Sequence, residues 1–236
     1  MTILTPDIVL QAYRAGFFPM ASNRESAEIR WVDPDVRGVL PIAGLHVPKR
    51  LHRTVRKRIY QITFDRAFGA VVRGCASARP DTWINDEILA LYTALHHQGF
   101  AHSVEAWKDG RLAGGLYGIA LGGAFFGESM FSAAADASKV ALVHLAARLW
   151  RQGFELLDAQ FVNAHLRQFG VYAIPREEYL ERLEKALGKE VSFQSSKSET
   201  GFTGSFAGAP SGAVSEENSS GFGDVSAFLH SITQTS

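Results

Sequence analysis

Apolar residues recur along the first 80 residues at spacings typical of helices and short strands. In chain order they predict a helix, a Gly-Phe-Phe-Pro turn and two strands, at residues 9–15, 16–19, 36–40 and 61–64. Between the two strands, Leu51 and Val55 are four positions apart, and almost every other residue of this segment is polar or charged. This spacing predicts a helix within residues 48–58 that buries one narrow apolar stripe.

From about residue 85 the pattern indicates a sheet covered by helices. A helix that is ended by Gly99 precedes three strands, and Asp109-Gly110 between the first two is a strong hairpin signal. Consecutive hairpins predict an antiparallel meander. The predicted order is helix, three strands, helix, strand and two helices, at residues 85–98, 101–108, 112–120, 124–131, 138–153, 154–160, 163–170 and 176–187. This order is typical of the α+β class, with a mixed sheet.

Changes in composition divide the chain into three parts. We expect a small N-terminal α/β domain over residues 1–80 and a mixed-sheet domain over residues 81–189. Residues 190–236 are rich in Ser and Gly, which is typical of a flexible tail. Within that tail, Phe228, Leu229 and Ile232 return at helical spacing, so its end is expected either to dock on a surface or to fray.

Composition excludes several protein classes. With 236 residues and 46% hydrophobic residues, the chain can bury a sizeable core. Its single cysteine, Cys75, excludes an internal disulfide framework and indicates a reducing compartment. The first residues lack the pattern of a signal peptide, and the uncharged stretch at 112–127 is too short and too rich in Gly for a membrane span. We therefore expect a cytoplasmic protein that does not span a membrane.

The formal net charge of zero argues against a nucleic-acid partner, but the charges are not evenly distributed. Residues 48–58 carry basic residues and no acid. Phosphate binding depends on the local field and not on the total charge. The segment fits either a solvated helix face or a nucleic-acid contact, formed by Lys49, Arg50, Arg53, Arg56, Lys57 and Arg58.

Polar residues at the ends of apolar strands are the candidates for chemistry. Asp158 and Gln160 are two positions apart and therefore project from the same side of the strand over 154–160. Glu128 lies near the end of another apolar strand. Burying a carboxylate is costly unless it is hydrogen-bonded, so each acid has either a structural role or a functional one.

Common catalytic motifs are absent from the sequence. His96, His97 and His102 do not have the spacing of a zinc-binding helix, so we expect no metal site. The segment around Ser129 lacks the second glycine of a nucleophile elbow. No glycine fingerprint for a phosphate or dinucleotide precedes a predicted helix.

A series of ordered motifs resembles one family. The motifs include AYRAGFFP, the segment with Trp31 and Asp-Pro-Asp, GCAS, TWI, AHSVE, GGLYG, GESMFS, ASK and DAQ, and they span about residues 11–180. Together they resemble the bacterial leucyl/phenylalanyl-tRNA–protein transferases. The resemblance implies an aminoacyltransferase that needs no cofactor and has a GNAT-like (acetyltransferase-like) second domain.

The resemblance also implies the substrates. Members of this family take Leu or Phe, with Met as a further candidate donor, from an aminoacyl-tRNA. They join it to the α-amino group of proteins that begin with Arg or Lys, which creates an N-end-rule degradation signal. We expect the same partners here, and a monomer by default.

The family's site residues correspond to residues of this chain. Asp158 and Gln160 match an acid and an amide that orient the acceptor amine and relay its proton, with Asp158 acting either as a base or as an electrostatic anchor. Glu128 matches an acid that binds the aminoacyl α-amino group or the acceptor, and Trp83 matches a tryptophan of the aminoacyl-adenosine site. The expected amino-acid pocket is formed by Leu116, Phe125, Met130, Leu145, Leu149 and Leu157.

The resemblance extends to the basic helix and departs from the family at one position. Arg56 and Lys57 match residues near the tRNA acceptor stem, and the other four basic residues would widen that patch. Met20 replaces the tryptophan that usually follows the Phe-Pro motif, which weakens the case for an aromatic wall on that side.

Alternative functions remain open at this point. A GNAT-type N-acetyltransferase would share the fold, although the nearest candidate for its pyrophosphate loop, residues 167–172, ends a predicted helix. A non-catalytic RNA-binding module would explain the basic helix but not the acids at the strand ends. A third alternative is the sister family that leucylates N-terminal Asp or Glu.

Overall fold

The structure is a computed structural model that describes residues 4–21, 23–24, 28–79, 82–194 and 217–234. Its helices are α1 (Pro6–Arg14), α2 (Lys49–Arg56), α3 (Phe68–Ser77), α4 (Asp86–His97), α5 (Ala137–Gln152), α6 (Ala164–Arg167), α7 (Arg176–Leu187) and α8 (Glu217–Gln234). Its strands are β1 (Phe18–Ala21), β2 (Ile29–Val32), β3 (Val36–Leu40), β4 (Gln61–Phe64), β5 (Ala101–Lys108), β6 (Arg111–Leu121), β7 (Ala124–Ser132), β8 (Leu156–Gln160) and β9 (Tyr172–Pro175).

A seven-stranded mixed sheet forms the centre of the fold, in the order β4-β5-β6-β7-β8-β3-β9. The predicted meander is confirmed, because β5, β6 and β7 pair antiparallel through two hairpins. Among the described strands, only β7 and β8 pair in parallel, and α5 makes the crossover between them. Strands β1 and β2 form a separate two-stranded sheet. The predicted α+β class is confirmed.

Strands from the first part of the chain lie in the same sheet as the later ones. Strand β3 is placed between β8 and β9, while β4 pairs with β5 at the opposite edge. The residues before 80 thus supply two strands of the large sheet as well as the separate pair β1 and β2. The domain boundary near residue 80 stays a prediction.

Helices cover both faces of the large sheet. One face, called the α5 face, packs against α5, α2 and α8, and the other, called the α1 face, packs against α1, α3, α4 and α7. Alternate residues of a strand point to opposite faces, so Phe125 belongs to the α5 face and Phe126 to the α1 face. Both side chains are fully buried.

The C-terminal segment is packed in two places. Phe193 is buried and stacks on the rings of His102 and Phe125. Helix α8 packs along α5 and contributes Val225, Phe228, Leu229 and Ile232 to the core. The helical spacing of these residues is confirmed, and the expected flexible tail does not extend to these two parts. Residues 195–216, the middle of that predicted tail, lie outside the described residues.

We expect Phe228→Ala to destabilise the protein by about 3–5 kcal/mol, because it removes a fully buried aromatic ring and leaves a cavity between α8 and α5. Urea denaturation followed by circular dichroism measures the change. Ser226→Ala, on the exposed side of the same helix, is the control and should change stability little. Equal stability of both variants would contradict the packing of α8.

Within the described residues, no helix has both the length and the apolar character that crossing a bilayer requires.

Candidate active site

The parallel pair β7 and β8 separates at the centre of the sheet. Their pairing ends where Phe126 meets Asp158, yet β7 continues to Ser132 and β8 to Gln160. Beyond this point the two strands no longer pair, and we call this unpaired region the splay. All three predicted catalytic residues lie at or beyond the last pair, so the sheet geometry alone brings them to one place.

Glu128 lies on a β-bulge of β7. Gly118 pairs with Gly127 and Tyr117 pairs with Ser129, so Glu128 is an extra residue without a partner on β6. A bulge locally rotates a strand and redirects the side chain it carries. In β7 the change falls on the residues after Glu128, so Met130 packs on the α5 face, although it is an even number of positions from Phe126 on the α1 face. The Glu128 carboxylate itself lies on the α1 face, like Phe126, and meets side chains of α1 and α4.

Two tyrosines and an amide surround the Glu128 carboxylate. Tyr13 donates to Oε1 at 2.6 Å, Tyr92 donates to Oε2 at 3.0 Å, and Gln160 Nε2 donates to Oε1 at 3.3 Å. The two tyrosine hydroxyl oxygens are themselves 2.7 Å apart. Burial, followed by the charge of Glu128, raises the pKa of both tyrosines well above the ordinary value, so both remain protonated.

This arrangement favours the protonated form of Glu128. The Glu128 carboxylate and the hydroxyls of Tyr13 and Tyr92 contact one another in pairs, which gives three contacts. Each hydrogen bond needs one proton, and the two hydroxyls supply only two. A proton on Glu128 would complete a closed ring of three hydrogen bonds. Burial raises the pKa of Glu128 to about 7, against the opposing effect of its hydrogen bonds. The carboxyl group is therefore set to gain or lose a proton near neutral pH.

Asp158 has a different environment, because it is saturated by structural partners. Arg37 approaches both oxygens, with Nη2 2.7 Å from Oδ2 and Nε 3.0 Å from Oδ1. Tyr179 donates to Oδ2 at 2.8 Å, and the backbone N–H of Gln160 donates to Oδ1 at 2.7 Å. Asp158 is completely buried and Arg37 is 1% exposed. The guanidinium also lies between the rings of Phe18 and Tyr179.

Gln160 connects the two acids. Its φ of 60° lies in the left-handed region, and a hydrogen bond of 2.6 Å from Phe161 N to the Ala159 carbonyl closes a tight turn around it. Such a conformation is strained for a residue with a side chain and persists only where its surroundings hold it. Asp158 binds the backbone of Gln160, and the side chain of Gln160 reaches Glu128. The predicted trio thus forms one connected network.

A further polar group lies buried beside this network. In the part of the chain that is described, the hydroxyl of Tyr117 has no hydrogen-bond partner. The Tyr117 ring packs edge-on against Tyr92, with ring centroids 5.5 Å apart. A buried donor without an acceptor costs free energy, and such a group is a natural partner for a polar atom of a ligand.

The six residues expected to form the amino-acid pocket lie together on the α5 face. Five of them are buried members of one hydrophobic cluster, and Met130 packs against it at the end of β7. They lie on the opposite face from the Glu128 carboxylate, with the splay between them. Trp83 is on the side of Glu128, with its ring 6.3 Å from that of Tyr92. The assignment of these residues to substrate binding stays a prediction.

The basic helix is confirmed as α2, and Leu51 and Val55 bury its apolar stripe. All six basic side chains of residues 49–58 are exposed. The structure therefore presents them on the surface, and their role in tRNA binding stays a prediction. Among the described residues, no group of three or more His, Cys, Asp or Glu is arranged to hold a metal ion.

Sequence reasoning missed the partners of the two acids. The sequence pattern assigns no role to Arg37, Tyr92 or Tyr179, and Tyr13 stands out only as part of a motif. One signal was available for Arg37, because it is a charged residue inside the short apolar run 36–40. A charge in such a position requires a buried counter-charge.

Comparison with known proteins identifies the family of this chain. The family model described as leucyl/phenylalanyl-tRNA protein transferase matches residues 39–184, and the model of that family's N-terminal domain matches residues 3–35. A leucyl/phenylalanyl-tRNA–protein transferase of Paramagnetospirillum magneticum is 55% identical over 196 residues, which cover 82% of this chain and 94% of the relative. One from Hyphomonas neptunium is 51% identical over 222 residues, which cover 93% and 83%.

A solved structure gives only a weak likeness. The C-terminal domain of a putative lysylphosphatidylglycerol synthetase from Agrobacterium fabrum is 14% identical and has a TM-score of 0.34, covering 76% of this chain and 62% of that one. A similarity this low carries no argument about function. The family models and the relatives, in contrast, extend over most of both chains. This chain therefore belongs to the leucyl/phenylalanyl-tRNA protein transferase family.

Proposed function

We propose that this protein transfers Leu or Phe from an aminoacyl-tRNA to the α-amino group of proteins that begin with Arg or Lys. Membership of the family supports the reaction and argues against an acetyltransferase or a non-catalytic RNA-binding module. The single observation that carries the proposal is the connected network of Glu128, Gln160 and Asp158 across the splay. Such a network can orient an amine and accept its proton.

The chemistry demands little beyond orientation and proton transfer. An amine attacks the activated ester of the aminoacyl-tRNA, the new amide bond forms, and the 3′ oxygen of the terminal adenosine leaves. Positioning and charge stabilisation therefore supply most of the acceleration. The attacking nitrogen must also lose a proton, which requires a base within hydrogen-bond reach.

We assign the role of the base to Glu128. Glu128 as a residue is only partly buried and lies beside the splay, and burial of its carboxyl group raises the pKa to about 7, near the pH at which a base works best. Asp158 cannot be reached in the same way, because it is fully buried and its oxygens are occupied by Arg37, Tyr179 and Gln160. Asp158 is therefore a positioning residue, as in the anchor alternative.

Gln160 orients the acceptor amine in this proposal. Its Nε2 donates to Glu128, which leaves its side-chain oxygen to accept a hydrogen bond from the amine. Asp158 holds the strained backbone of Gln160 in place. The charge of Asp158 is balanced by Arg37, so Glu128 is the acid in the network that remains to attract a basic acceptor.

The remaining assignments follow the resemblance. The apolar cluster on the α5 face selects Leu and Phe, and Trp83 stacks on the aminoacyl-adenosine. Met20, in place of the usual tryptophan, puts a more flexible, non-aromatic side chain on its side of the site. The protein acts as a monomer in the cytoplasm, where charged tRNA is found.

A transfer assay tests the proposal. Labelled Leu-tRNA is incubated with the protein and with peptides that differ only in an N-terminal Arg, Lys, Asp or Ala. We expect label on the Arg and Lys peptides. Label that stays on the tRNA would refute the activity, and label on the Asp peptide would indicate the acceptor choice of the sister family.

The tRNA-binding role of α2 gives a separate prediction. We expect Arg56→Ala combined with Lys57→Ala to weaken tRNA binding. The plot of the logarithm of the binding constant against the logarithm of the salt concentration should also become less steep, by about 0.7–0.9 for each phosphate that the variant no longer neutralises. Lys185→Ala, an exposed lysine of α7 on the opposite face of the sheet from α2, is the control. An unchanged salt slope in the double variant would contradict the assignment.

A further inference from the structure

A second site lies next to the splay, in an open cleft of about 590 Å³. The end of β7, the connection over residues 133–136 and the first turn of α5 form one wall. The end of α3 and the short helix α6 form the other side. The polar and charged residues that line the cleft are Arg79, Ser132, Asp136, Ser138, Lys139 and His165.

Basic groups from three parts of the chain converge on this cleft. Arg79 follows α3, Lys139 lies in the first turn of α5, and His165 belongs to α6. They are close enough that burial and then the charges of Lys139 and Arg79 lower the pKa of His165. The acid in the cleft, Asp136, is paired with Lys139 at 2.9 Å. Arg79 therefore leaves an excess of positive charge, which a bound anion would offset.

The backbone of the cleft adds to this field. The N-terminus of the 16-residue helix α5 opens into it, and no acidic residue lies in the first turn. The side chain of Asp136, at the N-cap, makes no capping hydrogen bond, and the hydroxyl of Ser132 accepts instead from the Ser138 N–H at 2.9 Å. A helix N-terminus carries partial positive charge, so it favours the same kind of ligand as the basic side chains.

The cleft lies between the basic helix and the reaction centre. Met130 lines it and is two residues beyond Glu128 on β7. On the other side, Tyr60, two residues after the basic run, donates a hydrogen bond of 2.6 Å to the carbonyl of Ala135 in the cleft wall. A polyanion that lies along α2 and ends at Glu128 would therefore pass through this cleft.

We infer that the cleft binds the phosphodiester groups that join the last nucleotides of the acceptor strand. Two observations carry this inference: the basic side chains from separate elements, and the position of the cleft between α2 and the splay. Arg binds phosphate through a planar fork and Lys as a point charge, and both types of group are present. The inference rests on the proposed function, because it identifies the nucleic acid with the tRNA donor.

A thermodynamic cycle tests this inference by binding alone. Its probes are the trinucleotide CCA and the same trinucleotide with neutral methylphosphonate linkages, titrated by calorimetry against the wild type and against Arg79→Gln with Lys139→Gln. We expect neutral linkages to weaken wild-type binding by about tenfold. In the double variant the two probes should bind within about twofold of each other, because the groups that sense the phosphate charge are gone.

The control and the contrary outcomes separate this inference from the proposed function. Arg73→Gln removes an exposed arginine of α3 that does not line the cleft, and this variant should keep the tenfold difference. A difference that persists in the double variant would overturn the inference, and Arg79→Gln alone repeats the test if the double variant fails to fold. If the cycle succeeds while the transfer assay fails, only the proposed function is refuted.

Discussion

Glu128→Gln is expected to lower kcat/KM for aminoacyl transfer by about 10²–10⁴-fold, the usual contribution of a general base. The amide has almost the shape of the carboxylate, and its oxygen can accept from one tyrosine while its nitrogen donates to the other, but it cannot take up a proton. Binding of aminoacyl-tRNA should therefore be kept. Steady-state kinetics with an Arg peptide, together with a direct tRNA binding assay, measure both effects.

The pH profile provides an independent check of the same assignment. Burial places the pKa of Glu128 at about 7, and only the ionised form can accept the proton. The wild-type rate should therefore rise as the pH increases through about 7, more steeply than expected from the acceptor amine alone. In Glu128→Gln this extra steepness should be lost.

Because the folded protein holds this proton more tightly than the unfolded chain, the stability that protonated Glu128 contributes is lost as the pH rises through about 7.

A matched control excludes a general effect of removing an acid. Glu155→Gln changes a carboxylate at the start of β8 that pairs with Lys185 and Lys189, away from the splay. We expect this variant to keep the wild-type rate and pH profile. A Glu128→Gln enzyme with a rate within about threefold of the wild type would remove Glu128 from the mechanism.

The second large effect is expected at Asp158, where two substitutions separate charge from positioning. Asp158→Ala and Asp158→Asn both leave the buried Arg37 without its counter-charge, and each should cost about 3–5 kcal/mol of stability. Only the alanine variant also leaves the backbone N–H of Gln160 without an acceptor. We therefore expect kcat of Asp158→Ala to fall by about 10²-fold, because Gln160 is misplaced. Asp158→Asn should keep most of the wild-type kcat.

These rates are measured below the unfolding temperature of each variant, so that stability and catalysis are compared separately. Thermal denaturation supplies the stability and single-turnover kinetics supply the rate of the chemical step. If Asp158 were the base, both substitutions would reduce the rate equally. Equal losses would thus contradict the positioning role and restore the base alternative.

Much of the fold could be predicted from local patterns in the sequence. The strand at Ala101–Lys108 and the helix at Arg176–Leu187 have the predicted bounds, because their apolar periods are regular and their ends are marked. The strands of the meander differ from prediction by one residue at most at each end. Glu128, Asp158 and Gln160 were identified because polar side chains at the ends of apolar strands have few structural explanations.

The parts that were missed depend on distant contacts. Neither strand of the two-stranded sheet is predicted, and β1 begins within the predicted turn at 16–19, because each strand depends on pairing with the other. Strand β9 is short and exists because β3 offers it a partner. The sequence also gave no indication that Glu128 lies on a bulge, which needs the register of the neighbouring strand. Phe154, expected on the same side as Asp158, precedes β8 and belongs to the α5 face.

The ion pair of Arg37 and Asp158 limits how early the chain can fold during its synthesis. The two residues are 121 positions apart, and β3, which carries Arg37, lies between β8 and β9 in the sheet. At about 5–20 residues per second, translation brings Asp158 roughly 6–24 s after Arg37. Until then β3 has neither neighbour, and its arginine must stay in water or with a chaperone. The nascent chain can therefore complete its active site only after nearly the whole sheet has left the ribosome.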